Sequence, residues 1–279
     1  MDAGETRDAS DPDDADVLDA DELDADVLDA SDGNPGDTTV SCPSANACGG
    51  CSALSQDPGT RCGQCGVGQF VCDGSDTVIC QGQDAQPVVS AGAIVVDDLE
   101  DGDRFIRPES GLSGGWQTVS DSSAGMLVPA LGTPLEPTPG GAFGSAYSMR
   151  VAGSGFSDWG AGLAVSLNAY QCPVDVSAHS GFSFAVRGTA TGSMLVSVAT
   201  LPTTPSSAGG TCTTAACNDH FTLSLPVSNT WTTHAVSFGS LSQTGWGTPA
   251  SFVPSEVLYI QFSFGPGVTF DISVDDLAF

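Results

Sequence analysis

Acidic side chains follow two apolar segments at opposite ends of the C-terminal two thirds of the chain. Residues 94–96 lead into an acid-rich stretch, and residues 272–274 lead into a pair of aspartates. If these segments are the first and last strands of one sandwich, their acidic ends lie close together. Ca²⁺ binds six to eight carboxylate and carbonyl oxygens. The predicted ligands of a structural Ca²⁺ are Asp98, Glu100, Gly102, Asp103, Asp275 and Asp276. In the alternative, these groups are solvated strand ends.

Aromatic side chains offer a second candidate chemistry, the stacking of a ring on the apolar face of a sugar. Trp246 lies between two glycines and Trp159 precedes one, which places both in loops where a ring can be exposed. Trp231 precedes an apolar segment and is expected to pack in the core or at a sheet edge. Core packing is the alternative for the other rings too. The predicted ligand-binding residues are Trp116, Trp159, Tyr170, Trp246, Arg150 and Arg187.

The sequence carries no recognisable catalytic pattern, and we predict that the protein is not an enzyme. A glycosidase needs two carboxylates across a cleft, but the acidic pairs lie at the strand ends assigned to the cation. His179, His220 and His234 have no metal-ligand spacing, and neither an HExxH nor a GxSxG motif is present. A lyase built on a β-sandwich would leave no such mark.

Short apolar segments separated by Gly, Ser and Pro turns make up the region that must position these residues. Their number and spacing are typical of a β-sandwich or jelly roll. We therefore predict an all-β sandwich or jelly roll over residues 93–279, long enough to bury a full core. The predicted strands are residues 93–99, 116–119, 146–152, 161–167, 181–186, 194–199, 221–226, 232–238, 257–264 and 270–277.

Cysteines are concentrated in residues 42–87, which contain seven of the ten in the chain. This segment has few large apolar residues, so covalent cross-links are expected to hold it together. The predicted disulfide cysteines there are Cys48, Cys51, Cys62, Cys65, Cys72 and Cys80. Zinc binding by the two CxxC pairs is an alternative, although their gap is short for a zinc ribbon. A redox CxxC would need a βαβ context, which is not evident.

Three further cysteines lie in the predicted jelly roll. Cys212 and Cys217 flank a four-residue loop and are predicted to form a local disulfide. Cys172 is then single and could pair with the odd cysteine of the cysteine-rich segment, for which Cys42 is our expectation. In the alternative, the odd cysteine stays free. This number of cysteines favours an oxidising compartment, so we predict an extracellular or cell-surface protein. No signal peptide is visible after Met1, so the route of export stays open.

Residues 1–41 have a different composition, with fifteen acidic residues, one arginine and no aromatic residue. The pattern predicts a disordered acidic linker. A calcium-binding repeat is the alternative, but Asp19, Asp21 and Glu22 do not supply the frame of an EF-hand loop. The whole chain of 279 residues has a net charge of -28. Such a charge argues against nucleic-acid partners and anionic membranes, and no apolar run is long enough to insert into a membrane.

A series of short motifs in residues 93–279 resembles the carbohydrate-binding-module-like jelly rolls of the galactose-binding superfamily, of the family 11 and family 30 type. The similar form is found in secreted proteins of myxobacteria and related bacteria. Order and spacing carry the resemblance, since no single motif is specific. The motifs are Val96-Asp97-Asp98-Leu99-Glu100-Asp101-Gly102-Asp103, Gly114-Gly115-Trp116, Tyr147-Ser148-Met149-Arg150, Trp159-Gly160-Ala161-Gly162, Gly181-Phe182-Ser183-Phe184, Gly245-Trp246-Gly247 and Val274-Asp275-Asp276-Leu277.

This resemblance implies a jelly roll with a structural calcium ion and a glycan-binding face, without catalysis. Three departures concern aromatic positions of the relatives, where this chain has Ala185, Ser273 and Gln117. The function we expect is non-catalytic binding of a polysaccharide at the cell surface or outside the cell. The alternative is a structural or adhesive surface protein that binds no glycan.

Overall fold

Fifteen β-strands and five short 3-10 helices form residues 42–279, the part of the chain that this computed structural model describes. The predicted acidic linker at residues 1–41 lies outside the described residues. Residues 42–279 contact one another as one unit. No helix within residues 42–279 combines the length and the apolar character that a membrane span requires.

The cysteine-rich segment contains a small antiparallel sheet of three strands, in the order β1-β2-β3. The strands are β1 (Arg61–Cys62), β2 (Gly68–Cys72) and β3 (Val78–Gln81). Ile79, one of its few large apolar side chains, is half exposed at 50%. Burial therefore contributes little here, and disulfides hold the segment together.

Five disulfides use all ten cysteines, and no cysteine is free in the described part of the chain. Each CxxC pair contributes its two members to two different disulfides, so neither pair is available as a zinc ligand. The bonds are Cys42–Cys51, Cys48–Cys72, Cys62–Cys80, Cys65–Cys172 and Cys212–Cys217.

The expectation that Cys42 is the odd cysteine is wrong. Cys42 lies beside Cys51, with the Cα atoms 5.5 Å apart, and bonds to it. Cys65 reaches Cys172 instead, because the loop before Cys172 packs on this segment: Asn168 Nδ2 donates to the Cys65 carbonyl at 3.1 Å. The loop between Cys212 and Cys217 is closed by the local disulfide.

All ten predicted strands of the jelly roll are present, which confirms the all-β fold. Two more strands, β6 and β7, were not predicted because they are only three and two residues long. The strands are β4 (Val95–Asp97), β5 (Gly115–Ser120), β6 (Met126–Val128), β7 (Thr138–Pro139), β8 (Tyr147–Ser154), β9 (Ala161–Ser166), β10 (Gly181–Ala190), β11 (Met194–Thr200), β12 (Phe221–Leu225), β13 (Thr232–Ser237), β14 (Val257–Phe264) and β15 (Phe270–Ala278). The 3-10 helices are Pro108–Ser110, Leu201–Thr203, Ser206–Ala208, Phe238–Ser240 and Pro254–Glu256.

These strands form two antiparallel sheets. The seven-stranded sheet has the order β13-β10-β15-β8-β6, with β4 also paired to β15 and β7 to β8. The five-stranded sheet has the order β12-β11-β14-β9-β5. In the first sheet Asp97 of β4 lies opposite Leu277 of β15, so the opening and closing strands of the jelly roll are neighbours, as the sequence predicts.

Aromatic contacts between the two sheets form the centre of the core. Phe184 of β10 meets Phe262 of β14 edge-on at 4.8 Å, and Phe264 of β14 stacks on Phe270 of β15 at 4.3 Å. Each buried phenylalanine contributes roughly 1.5–3 kcal/mol by removal of its ring from water. Since β14 alternates, its Ile260 and Phe262 face this core while the residues between them face outward.

Candidate functional site

The outer face of the five-stranded sheet carries a cleft of about 580 Å³. Its floor comes from the strands and its rim from the loops that join them. Trp159 and Trp246, both predicted from sequence, lie in this cleft. The lining residues are Gln117, Thr118, Val119, Ser120, Leu131, Trp159, Leu195, Ser197, Asn218, Asp219, His220, Thr222, Thr244, Trp246, Tyr259, Gln261 and Ser263.

Strand alternation explains the polar floor. On β14 the outward residues are Tyr259, Gln261 and Ser263, which alternate with buried apolar residues. On β11, Ser197 pairs with Gln261 across the strands, and its hydroxyl bonds to the Thr222 hydroxyl at 2.8 Å. The floor therefore presents hydroxyl and amide groups to the cleft.

The rim carries two exposed rings. Trp159 is 45% exposed and Trp246 is 61% exposed, so both rings are open to a ligand in the cleft. The glycines next to the two rings allow backbone conformations and close contacts that a side chain would disturb. Gly160 and Gly245 have positive φ angles of 101° and 95°, and a Cβ at Gly247 would lie 2.3 Å from Asp219 Cβ.

Asp219 holds the loop of Trp246. Its Oδ2 accepts the amides of Gly245 at 2.8 Å and Gly247 at 3.0 Å, one on each side of the tryptophan. Its Oδ1 accepts the amide and the hydroxyl of Thr244 at 2.9 and 2.6 Å. Burial acts to raise the pKa of Asp219, but these hydrogen bonds outweigh burial and hold the pKa below its usual value. The carboxylate therefore stays charged.

Asp121 does the same for Trp159. Its Oδ2 accepts the amides of Asp158 at 3.0 Å and Gly160 at 2.7 Å, which flank the ring. Burial opposes ionisation of Asp121, and hydrogen bonds from Ser123, Gly160 and Asp158 lower its pKa to about 2. Both rim tryptophans thus lie in loops that a charged carboxylate closes.

Beneath the floor, His220 is hydrogen-bonded at both ring nitrogens. Its Nε2 lies 2.7 Å from the Tyr259 hydroxyl, and its Nδ1 lies 2.9 Å from Thr203 Oγ1. Burial lowers the pKa of His220 to about 4 and raises the pKa of Tyr259 to about 12. At neutral pH both side chains are therefore uncharged, so they can orient hydrogen bonds but carry no charge to a ligand.

Comparison with known proteins gives structures but no sequence family. No family profile and no curated protein matches the chain. It is similar to a family 11 carbohydrate-binding module from Clostridium thermocellum, in complex with a β-1,3-1,4-mixed-linked tetrasaccharide, at 16% identity and a TM-score of 0.47 over 68% of this chain and 95% of that one. A family 30 module of a Clostridium thermocellum cellulosomal cellulase matches at 12% identity and a TM-score of 0.44, over 67% and 96%. These two structures are a family 11 and a family 30 carbohydrate-binding module.

Four predicted ligand-binding residues lie away from the cleft. Trp116 is only 2% exposed; it stacks on Phe262 and donates its Nε1–H to the buried Asp97 at 2.6 Å, so its assignment as a ligand platform is wrong. Tyr170 is exposed, but its ring lies beside Gly66 of the cysteine-rich segment.

The two predicted arginines belong to the other sheet. Arg150 on β8 forms a paired contact with Asp271 at 2.8 and 2.6 Å. Arg187 on β10 donates to the Gly140 carbonyl at 2.9 Å and lies 4.8 Å above the Trp231 ring. The departures at Ala185 and Ser273 lie in this sheet as well, whereas Gln117 lines the cleft.

The acidic strand ends meet as the sequence predicts, but most of their oxygens are already engaged. Glu100 Oε1 accepts the amides of Ala146 and Tyr147 at 2.8 and 3.0 Å. Asp275 Oδ2 accepts the Ala142 amide at 2.7 Å and the Ser145 hydroxyl at 2.6 Å.

The next three residues of the predicted calcium site also form hydrogen bonds or salt bridges within the protein. Asp98 forms a salt bridge with Arg107, and Asp103 accepts the Phe105 amide at 2.7 Å. Gly102 lies in a turn and donates its amide to the Leu99 carbonyl at 3.2 Å. Across residues 42–279, no group of three or more His, Cys, Asp or Glu side chains is arranged to hold a metal ion. The predicted six-residue set therefore does not form a ready cage.

Asp276 differs from the other acidic residues of this region. Burial raises its pKa, and the nearby charges of Asp275, Asp98 and Glu100 raise it further. Its side chain has no hydrogen-bond or salt-bridge partner among residues 42–279. Like charges are thus concentrated around Asp276 without a neutralising group of its own.

Proposed function

We propose that the cleft on the five-stranded sheet binds an uncharged polysaccharide chain without changing it chemically. The observation that carries the proposal is the pair of exposed tryptophans, each in a loop closed by a charged carboxylate, at the rim of one cleft with a polar floor. Aromatic rings stack on the C–H faces of sugars, and hydroxyl and amide groups bind their hydroxyls.

The charge of the cleft supports an uncharged ligand. Within the described part of the chain its lining includes Asp219, which stays ionised, and no lysine or arginine. A uronate or sulfate group would meet a carboxylate there with no cation to offset it, and the chain as a whole carries a charge of -28.

The same residues support binding rather than catalysis. Glycoside hydrolysis uses two carboxylates, and among residues 42–279 Asp219 is the one acidic residue that lines the cleft. All four of its hydrogen bonds go to the loop of Trp246. His220 is held at both nitrogens and has a lowered pKa, which makes it a weak base.

Two further elements of the function are proposals of the same kind. A structural Ca²⁺ at the acidic strand ends is supported by the like charges of Asp98, Glu100 and Asp275 around Asp276, which a cation would relieve. Glu100 and Asp276 have oxygens that could face it. An extracellular or cell-surface location is supported by the five disulfides, which persist in oxidising compartments.

Affinity electrophoresis tests the binding proposal. The protein is run through gels that contain mixed-linkage β-glucan, galactomannan, xylan or hydroxyethylcellulose, with carboxymethylcellulose as the anionic counterpart. We expect retardation by at least one uncharged polysaccharide and none by carboxymethylcellulose. Unretarded migration in every gel would contradict glycan binding and favour the structural or adhesive alternative.

A further inference from the structure

Two buried side chains, Thr203 and His220, and the partly buried Tyr259 form a hydrogen-bonded chain that ends at the floor of the cleft. The Tyr259 hydroxyl contacts His220 Nε2 at 2.7 Å, and His220 Nδ1 contacts Thr203 Oγ1 at 2.9 Å. Thr203 Oγ1 lies 3.1 Å from the Thr200 amide nitrogen, 3.2 Å from the Thr200 carbonyl oxygen and 3.4 Å from the Thr200 hydroxyl. Thr200, Thr203 and His220 are each no more than 7% exposed, so water does not compete for these contacts.

The Thr200 backbone determines the direction in which the Thr203 hydroxyl points its proton. A threonine hydroxyl has one proton and two lone pairs. The Thr200 N–H can only donate and therefore occupies one lone pair of Thr203 Oγ1. The Thr200 carbonyl can only accept, and two oxygens 3.2 Å apart with no proton between them would repel. The Thr203 proton therefore lies toward this carbonyl. The Thr200 hydroxyl is 3.4 Å from Thr203 Oγ1 and His220 Nδ1 only 2.9 Å, so we assign the second lone pair to the shorter contact with His220.

The direction of the Thr203 proton determines the tautomer of His220. Because Thr203 accepts, His220 donates from Nδ1. A neutral imidazole carries one N–H, and burial keeps His220 neutral by lowering its pKa to about 4. Nε2 is then unprotonated and accepts the Tyr259 O–H. Thr204 is a near neighbour of the Tyr259 oxygen but forms no hydrogen bond of good geometry with a group in residues 42–279.

We propose that Tyr259 offers the cleft a hydrogen-bond acceptor and no donor, so that a bound glycan must place a free hydroxyl against it. This inference rests on the proposed function and specifies the chemical group of the glycan that the floor recognises. A ligand hydroxyl donates to the Tyr259 oxygen. A methyl ether, an acetyl ester or a carboxylate at the same position has no proton to donate and leaves that oxygen unpaired. His220 and Thr203 are positioning residues, since they act through Tyr259.

The direction of the protons is tested without any glycan. Two-bond ¹H–¹⁵N correlation spectra distinguish the two neutral histidine tautomers, and the signals of His220 are those that disappear in His220→Asn. We expect His220 to be protonated at Nδ1 at neutral pH. Protonation at Nε2 would overturn the proposal, because the Tyr259 proton would then be free to point into the cleft.

The consequence for specificity is tested with polysaccharides of the same backbone. Retardation is compared in gels of mixed-linkage β-glucan, galactomannan and hydroxyethylcellulose and of partly O-methylated forms of each. We expect the wild type to prefer the unmethylated form, and Tyr259→Phe to lower affinity about tenfold and reduce that preference. Tyr170→Phe, a tyrosine outside the cleft, should change neither.

An unchanged preference in a correctly folded Tyr259→Phe would contradict the inference even if binding persists. Absence of retardation of the wild type in every gel would instead contradict the proposed function, and the tautomer of His220 would still decide the direction of the protons.

Discussion

Asp121 and Asp219 lie at opposite edges of the five-stranded sheet, and each accepts hydrogen bonds from the amides on both sides of an exposed tryptophan. Asp121 follows the edge strand β5 and holds the loop of Trp159; Asp219 precedes the other edge strand, β12, and holds the loop of Trp246. The two rim loops are therefore stabilised by the same arrangement of hydrogen bonds. A rim that is ordered before the ligand arrives loses less entropy on binding.

Asp219→Ala should weaken glycan binding although the hydrogen bonds of this carboxylate go to the loop of Trp246 and not to the glycan. The change removes four hydrogen bonds from the loop of Trp246, so that the ring is no longer held in place. We expect affinity to fall about tenfold, and the free energy of unfolding to fall by about 2 kcal/mol. Titration calorimetry and urea denaturation measure the two effects. Asp175→Ala, which removes a turn bond to Ser177 outside the cleft, is the control, and an equal loss of affinity in it would refute the assignment.

Folding stability should depend on pH through His220. Its pKa is about 4 in the folded protein and 6.5 in the unfolded chain. Between these values the unfolded chain binds the extra proton, so the free energy of unfolding falls as pH drops from about 6.5 to 4, by up to about 3 kcal/mol. His220→Gln should flatten this part of the pH profile. If the control His179→Gln reduces the pH dependence of the free energy of unfolding as much as His220→Gln does, His220 is not the group responsible.

The disulfides should contribute unequally to stability. In the loop-entropy account, the contribution grows with the number of residues enclosed. Cys65–Cys172 encloses a separation of 107 residues and Cys212–Cys217 one of 5. Replacing the first pair with serine should cost about 2–3 kcal/mol more than replacing the second, as measured by guanidinium denaturation. An equal cost would mean that native packing, rather than the unfolded chain, sets the contribution.

Calcium should raise the melting temperature if the proposed cation site exists. A cation among Asp98, Glu100, Asp275 and Asp276 would relieve the repulsion that raises the pKa of Asp276. Calorimetry with Ca²⁺ and then with a chelator should give a melting temperature several degrees lower in the chelator. Asp276→Asn should remove the difference, while Asp84→Asn should keep it. The same melting temperature under both conditions would exclude a bound calcium ion.

Much of the fold could be predicted because strand alternation is a local signal. The apolar positions of Phe221–Leu225 and Val257–Phe264 identified both as strands. β6 and β7 were missed because two or three residues are too few to show a period of two.

The site was predicted only in part because its geometry depends on contacts between distant residues. Glycine neighbours indicated the exposure of Trp159 and Trp246. Nothing local distinguished Trp116, which is buried because its indole N–H reaches Asp97 of another strand. Asp121 and Asp219 were missed as loop supports, since their partners lie 37–39 and 25–28 residues away in the chain.

Polysaccharide affinity of Trp159→Ala and Trp246→Ala is the most direct test of the binding cleft. In affinity electrophoresis on the uncharged polysaccharide that retards the wild type most, each variant should bind about tenfold more weakly. The double variant should not be retarded, with an unchanged melting temperature. Trp231→Phe, immediately before β13 of the other sheet, should bind as the wild type does. Full retardation of the double variant would contradict the account, because the glycan would then bind elsewhere on the protein.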